Sequence, residues 1–271
     1  TRPYSLCNDP HATDRYEIAV LLERDGRGGS RAAHERVAVG DRLALRPPRN
    51  LFPLAAEGRA LLVAGGIGVT PLLAMAETLT RTGRDFAFHL CARSAARAAF
   101  RARLAEPRFA GLVSFHFDDG PPERRFDARA VLAAAPAASH LHVCGPGGFM
   151  DHVLTTARDL GWSDERVHFE RFSVAPPAPI AGDDAFELVL ARRGVTIAVA
   201  PGVTAAEAML AAGAATPLSC EQGICGTCLL PVLEGRPDHR DHVQTPAERA
   251  TDRWFAPCCS RALTSRLVLD A

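Results

Sequence analysis

Cys220-Glu221-Gln222-Gly223-Ile224-Cys225-Gly226-Thr227-Cys228 sets three thiols at C-x4-C-x2-C, and Cys258 follows after twenty-nine further residues. This is the plant-type spacing for a [2Fe-2S] cluster, in which four thiolates hold two irons. A loop that supplies three of them must wrap around the cluster while aiming backbone N–H groups at its sulfurs, and Gly223 and Gly226 give the backbone freedom this needs. A structural zinc site normally uses two short C-x2-C-like pairs and leaves the x4 spacing unexplained. Cys220, Cys225, Cys228 and Cys258 are therefore the candidate ligands. Cys259 competes for the fourth position; neighbouring strand residues point to opposite faces, so only one of the two can face the cluster, and the spacing favours Cys258. Cys7 and Cys91 read as small buried hydrophobes, and Cys144, which leads into a glycine-rich turn, is the exception.

Outward from the cysteine loop, Phe186 to Ala191 and Val195 to Val199 alternate like two strands around Arg193-Gly194. Thr204 to Ala211 follows as a helix, with Thr204 as N-cap and Glu207 placed for a capping box. With Leu229 to Leu233 and Leu267 to Leu269 as further strands, residues 185–271 read as a small α+β cluster-binding domain. Ser173 to Gly182 carries three prolines and no hydrophobic period, so residues 173–184 read as a semi-rigid linker.

Upstream, residues 57–172 alternate strands and helices. The strands are expected at Ala60 to Ala64, Phe86 to Ala92, Val113 to Phe117, His140 to Cys144 and Val167 to Phe169. The helices are expected at Pro71 to Thr82, Ala95 to Leu104, Ala128 to Ala134 and Gly148 to Leu160. Such alternation implies an α/β domain whose parallel sheet is covered on both faces. Residues 1–56 differ: Tyr16 to Leu22 and Arg42 to Leu45 read as strands around a short helical patch, Arg31 to Val37, too few to close a barrel.

Composition narrows the function. The chain has 271 residues with 31 basic and 31 acidic side chains, and every basic one is Arg. The balance gives no mark of a nucleic-acid binder or of a protein bound to an anionic membrane. The longest apolar stretch, Ala60 to Ala76, is short for a bilayer and broken by Gly65, Gly66, Gly68 and Pro71, so no membrane span is expected. Without an apolar signal region at its start, the chain reads as cytoplasmic, and as one that begins in mid-domain.

Two glycine-rich turns end strands of the same expected sheet. Gly65-Gly66-Ile67-Gly68-Val69-Thr70-Pro71 joins a strand to a helix whose N-terminus offers unpaired N–H groups to a pyrophosphate. It departs from G-x-G-x-x-G, and a tight strand-to-helix turn without ligand is the alternative. Cys144-Gly145-Pro146-Gly147-Gly148 ends the fourth strand, at the edge where ligands bind in such sheets; a plain helix entry is its alternative. At the head of the chain stand Arg2, Tyr4 and Ser5: an Arg can pair with a phosphate, a ring can cover a flat ring system, and a hydroxyl can bond a ring nitrogen. Gly28-Gly29-Ser30 is a second candidate phosphate cradle or a flexible loop. Asp118-Asp119-Gly120 reads as a turn, and His239 as a turn or surface residue.

Taken together and in this order, these motifs resemble the phthalate dioxygenase reductase family. The resemblance rests on Arg-Pro-Tyr-Ser-Leu-Cys-Asn (2–8), Gly-Gly-Ser (28–30), Gly-Gly-Ile-Gly-Val-Thr-Pro (65–71), Cys-Ala-Arg-Ser (91–94), Cys-Gly-Pro (144–146), Glu-Arg-Phe (170–172), the cysteine loop, Pro-Asp-His-Arg-Asp (237–241) and Cys-Cys-Ser-Arg-Ala (258–262). It implies a multidomain fold: an FMN-binding β-barrel, here N-terminally partial (1–56), a nucleotide domain (57–172) and a plant-type ferredoxin domain (185–271). It further implies that Arg2, Gly29 and Ser30 hold the FMN phosphate, that Tyr4 and Ser5 touch the isoalloxazine, and that Phe172 stacks near it. Gly66, Gly68, Val69 and Thr70 with Cys144, Gly145 and Pro146 would hold NADH, and Arg93 and Ser94 would lie near its adenosine ribose.

NADH yields two electrons as hydride, whereas a [2Fe-2S] cluster takes one at a time, so a flavin between them is the expected store. The implied function is electron transfer from NADH through FMN and the cluster to a Rieske-type oxygenase acting on an aromatic acid, by a monomer with no catalytic acid–base pair. The competing reading is a non-catalytic electron carrier in which only the ferredoxin domain works. An exposed, unpaired barrel edge would favour it.

Overall fold

The computed structural model describes residues 2–24, 26, 28–173 and 184–271. They divide into two compact units, residues 4–172 and residues 173–271 with the first three. The expected linker falls mostly on residues 174–183, outside the described residues.

In the first unit, α1 (Gly29–Arg36) precedes a β/α alternation: β1 (Ala60–Gly65), α2 (Val69–Thr82), β2 (Phe86–Ala92), α3 (Arg101–Leu104), β3 (Val113–Phe117), α4 (Ala128–Ala133), β4 (His140–Cys144), α5 (Gly147–Asp159) and β5 (Val167–Glu170). The five strands form one parallel sheet in the order β3-β2-β1-β4-β5. β1 is buried along its whole length because both faces are covered. Leu62 and Ala64 pack with Phe88, Leu90 and the α2 residues Leu72 and Leu79, while Leu61 and Val63 pack with Leu132, Leu141 and Val153 from α4, β4 and α5. Since β2 and β3 lie to one side of β1 and β4 and β5 to the other, the strand order reverses between β1 and β4. That reversal opens a crevice at the carboxyl ends of the strands.

The helix expected over Ala95 to Leu104 is broken. A 3-10 turn covers Ala95–Arg97, and α3 starts only after Phe100, which adopts φ 57. Ala98, Ala99 and Phe100 pack on the core, so tertiary contact overrides a helical composition.

The strands expected at Tyr16 to Leu22 and Arg42 to Leu45 do not form ladders; one bridge, Leu6 to Ile18, is their sole pairing among the described residues. A strand exists only by bonding a neighbour, and Ile18, Leu21, Leu22, Leu43 and Leu45 remain exposed. The segment is anchored instead by Asn8, whose side chain bonds the Ala12 and Arg15 carbonyls and accepts from Glu17 N–H. It is also tied by Arg103, which bridges Glu17 and the buried Glu77 of α2; Arg108 pairs with Glu77 as well.

In the second unit, β6 (Phe186–Leu190) and β7 (Val195–Val199) form an antiparallel hairpin, followed by α6 (Ala205–Ala211). Thr204 and Glu207 make the expected capping box. Then come β8 (Leu230–Glu234), β9 (Pro237–Asp238), α7 (Pro246–Arg249), β10 (Trp254–Phe255), β11 (Arg261–Ala262) and β12 (Arg266–Leu269). The mixed sheet runs β10-β8-β12-β6-β7 with β12 parallel to β6, and β9 pairs with β11. Leu188, Leu190, Val199, Leu267 and Leu269 of this sheet pack against Ala205 and Met209 of α6. Each such buried aliphatic side chain is worth roughly 1.5–3 kcal/mol.

Candidate functional site

The cysteine loop runs from the end of the α6 region into β8, and Cys258 follows β10. Ala206 N–H of α6 donates to the Pro257 carbonyl at 2.9 Å, which fixes the segment carrying the fourth thiol. Cys220, Cys225, Cys228 and Cys258 are all buried. Their sulfurs meet in two pairs: Cys220 bonds Cys225, and Cys228 Sγ lies 3.4 Å from Cys258 Sγ. Cys259 Sγ, by contrast, lies 3.9 Å from the Ala256 carbonyl and from Ser260 Oγ, though it also bonds Cys258.

Backbone amides surround these sulfurs. Gln222 N–H and Ile224 N–H donate to Cys220, Thr227 N–H to Cys225, and Gly223 N–H to Cys258. The loop achieves this through left-handed residues at Glu221, Gly223 and Gly226, with φ of 57, 71 and 63. Glycine is required at Gly223 for a second reason: a Cβ there would stand 2.6 Å from Cys259 Sγ and 2.7 Å from Asp241 Cα. The hydrogen bond between Cys220 and Cys225 pushes the Cys225 thiol down and the Cys220 thiol up. Its bond to Cys258 and burial push Cys228 up. At Cys258 the Cys228 bond pulls down, while the Cys259 bond and burial push up, to about 12. Four buried, closely paired thiols ringed by amide donors suit a soft metal cluster that neutralises thiolates as it binds.

Beneath the loop lies the Pro-Asp-His-Arg-Asp segment, where His239 is half-buried, its side chain 9% exposed, rather than on the open surface. It sits between Asp241 and Asp252, with Nδ1 3.3 Å from Gln244 Nε2. The hydropathy of five polar residues in a row hides this burial.

The first unit holds the second constellation. The turns ending β1 and β4 are packed backbone to backbone. A Cβ on Gly68 would collide with the Cys144 carbonyl, and one on Gly145 would reach within 2.9 Å of Gly65 Cα. At Gly66, Gly147 and Gly148, however, a Cβ would meet nothing within 4 Å. The two turns thus lock together and leave open backbone at the N-termini of α2 and α5, where N–H groups have no helical partner. A cradle of this kind fits a pyrophosphate. Thr70 is buried and its hydroxyl donates to the Ile67 carbonyl at 3.0 Å, and Val69 is buried, so both shape the turn. Pro146 is exposed at the N-cap of α5. Arg93 is exposed and Ser94 half-buried after β2, the strand next to β1 at this edge.

Cys144 ends β4 directly beside Glu170, the last residue of β5. Burial and then the Glu170 charge push the Cys144 thiol well up, and burial pushes the Glu170 carboxyl up. Ser5 Oγ–H donates to Glu170 Oε2 at 2.8 Å. The structure therefore brings Ser5 and Cys144 to one sheet edge through Glu170, a residue the sequence reading quoted but gave no role. A carboxylate at the inner end of a short strand, next to the glycine-rich turn after β4, was the available signal.

The remaining expected flavin contacts are scattered. Tyr4 and Phe172 are each 37% exposed. Gly29 opens α1 after a left-handed Gly28, and Ser30 Oγ accepts from Glu23 N–H at 3.0 Å. The Arg2 guanidinium donates to the Ser219 carbonyl at 3.3 Å.

Residues 188–263 match the 2Fe-2S iron–sulfur cluster binding domain family. The chain is 51% identical over 271 residues to a vanillate O-demethylase oxidoreductase of Pseudomonas sp. (strain HR199 / DSM 7063), covering 99% of this chain and 85% of that one. It is 39% identical over 269 residues to the carnitine monooxygenase reductase subunit of Escherichia coli (strain K12), covering 98% and 83%. Among solved structures, phthalate dioxygenase reductase, described as a modular structure for electron transfer from pyridine nucleotides to [2Fe-2S], matches with a TM-score of 0.69 and 36% identity. That match covers 100% of this chain and 83% of the other.

Proposed function

The chain belongs to the phthalate dioxygenase reductase family, and on that premise we propose that it passes electrons from NADH, by way of FMN and a [2Fe-2S] cluster, to a Rieske-type oxygenase that acts on an aromatic acid. In this reading residues 1–56 belong to the flavin-binding domain, 57–172 bind the nicotinamide cofactor, 173–184 link, and 185–271 hold the cluster. The observation that carries it is the two pairs of buried thiols with amide donors turned onto their sulfurs. It is an arrangement for holding a cluster and setting its potential, with no use in a purely structural loop.

Cys220 and Cys225 would ligate one iron, and Cys228 and Cys258 the other, following the two sulfur pairs. The Gly223 and Gln222 amides stabilise negative charge on those sulfurs, which favours electron uptake. At the other constellation, Gly66 and Gly68 to Thr70 with Cys144 to Pro146 would receive the NADH pyrophosphate and nicotinamide, with Arg93 and Ser94 near the ribose. Ser5, held by Glu170, would bond a flavin ring nitrogen. Tyr4 and Phe172 would lie along the ring, and Arg2, Gly29 and Ser30 at its phosphate. Bound FMN supplies a carrier that takes electrons as a pair and gives them up singly. Placement, not acid–base chemistry, is the protein's task, and Glu170 serves by orienting the Ser5 hydroxyl. Among the described residues no helix is long and apolar enough to cross a membrane. We read the protein as a cytoplasmic monomer whose docking partner is the oxygenase.

The test reconstitutes the chain anaerobically with iron, sulfide and FMN, desalts it, and follows NADH-driven reduction of cytochrome c. Retained flavin and cluster absorption with reduction is the expected result. Bound FMN and intact cluster without any reduction would overturn the reading.

A further inference from the structure

The cluster loop is braced from behind by a polar group that no cluster ligand needs. Asp241 is completely buried, and both its carboxylate oxygens are used: Oδ2 accepts from Gln244 N–H at 3.0 Å, and Oδ1 from Gln244 Nε2 at 3.1 Å. His239 Nδ1 stands 3.6 Å away, and Arg249 Nη2 donates to the Asp241 carbonyl. Next in the chain, His242 N–H donates to the Gly223 carbonyl at 2.8 Å. The Asp241 backbone closes on Gly223 from the other side, so closely that a Cβ on Gly223 would overlap it. The Gly223 peptide is therefore gripped at its carbonyl and against its Cα, and its N–H is the one that donates to Cys258 Sγ. A buried carboxylate is costly unless it organises its surroundings. Here it closes residues 241–244 into a turn, and within that turn the His242 N–H bonds the Gly223 carbonyl.

We propose that Asp241 is a positioning residue for the iron–sulfur centre: its buried carboxylate locks the 241–244 turn against Gly223 and so keeps the Gly223 amide on the Cys258 sulfur. This rests on the reading of the four thiols as cluster ligands. N–H···S bonds stabilise the more negative, reduced cluster, so loosening this one lowers the midpoint potential. Removing the Asp241 charge alone would raise it, and the two effects must be separated.

Two variants of the full chain separate them. Asp241→Asn and Asp241→Ala both remove the charge, but the amide oxygen of the first can still accept from Gln244 N–H, whereas the second leaves no acceptor. In protein reconstituted with iron and sulfide, spectroelectrochemistry is expected to place the midpoint of Asp241→Ala below that of Asp241→Asn, with a changed EPR signal of the reduced cluster. In the metal-free protein, hydrogen exchange at the Gly223 amide is expected to be faster in Asp241→Ala than in Asp241→Asn. That measurement decides the matter even where Asp241→Ala takes up no iron. Equal potentials in the two loaded variants, or equal Gly223 exchange in the two metal-free ones, overturn the proposal and leave the cluster reading intact. A parent protein that takes up no iron overturns the cluster reading itself.

Discussion

The α-carbon of Gly68 lies so close to the carbonyl of Cys144 that no other residue fits there, although the two are separated by seventy-five residues and stand on different turns. Gly68→Ala must push those turns apart. It should cost about 2–3 kcal/mol or more, in line with overpacking, and abolish NADH binding. Gly66→Ala should instead cost only about 1 kcal/mol for its left-handed backbone, since nothing stands in the way of the methyl. Urea midpoints together with NADH titration of both variants check the contrast; equal losses would show the two turns are not locked.

The fourth thiol is tested by Cys258→Ser and Cys259→Ser. Because Cys258 Sγ faces Cys228 Sγ while Cys259 Sγ lies against Ala256 and Ser260, the first should lose or severely weaken the cluster absorption, and the second should keep it. The reverse outcome would make Cys259 the ligand.

Glu77 is 3% exposed and bonded by both Arg103 and Arg108. Glu77→Ala leaves the Arg103 guanidinium half-buried without that carboxylate and should destabilise the unit by about 3 kcal/mol, read as a lowered urea midpoint. When Arg108 is removed, the buried Glu77 still pairs with Arg103, so Arg108→Ala should cost less.

Acid should loosen the parallel sheet before it disturbs the carboxylates. His89 Nδ1 lies 3.0 Å from His116 Nε2, and burial followed by the charge of that neighbour pulls His89 down to about 4; burial likewise pulls His142 down to about 3. In the unfolded chain both rings titrate near 6.5, so between there and pH 4 the unfolded state binds more protons and stability falls as pH falls. Each ring contributes at most about 1.4 kcal/mol per pH unit in that window, less where solvent reaches it. Urea midpoints at pH 7 and pH 4.5 measure the loss, and His89→Leu should reduce it. An unchanged pH dependence in that variant would show that His89 does not drive it.

The strands β1, β2 and β4 were legible because each is a compact apolar run closed by a turn. The thiol loop was legible because its spacing alone states the chemistry. Phe100 was not, since its left-handed backbone comes from packing on a core assembled by distant residues. The extended stretch from Tyr16 to Leu22 carries a good strand composition, but a ladder needs a neighbour as well as a propensity, and among the described residues Leu6 alone supplies one. Asp241 and His239 sit in a run of polar residues that sequence patterning assigns to the surface. The full burial of Asp241 and the partial burial of His239 follow from packing against Gly223 and Gln244, which the pattern cannot bring together. Pairings as short as β9 with β11, two residues each, leave no periodic trace.

The apolar interior between the mixed sheet and α6 contains none of the four thiols; Cys228 and Cys258 gather instead with Cys259, Ala256, Leu218 and Leu229 in a cluster of their own. The sheet-and-helix core of this unit is thus assembled without the thiols, and a metal joining Cys228 to Cys258, thirty residues away in sequence, would close a large excursion of backbone that the core itself leaves open.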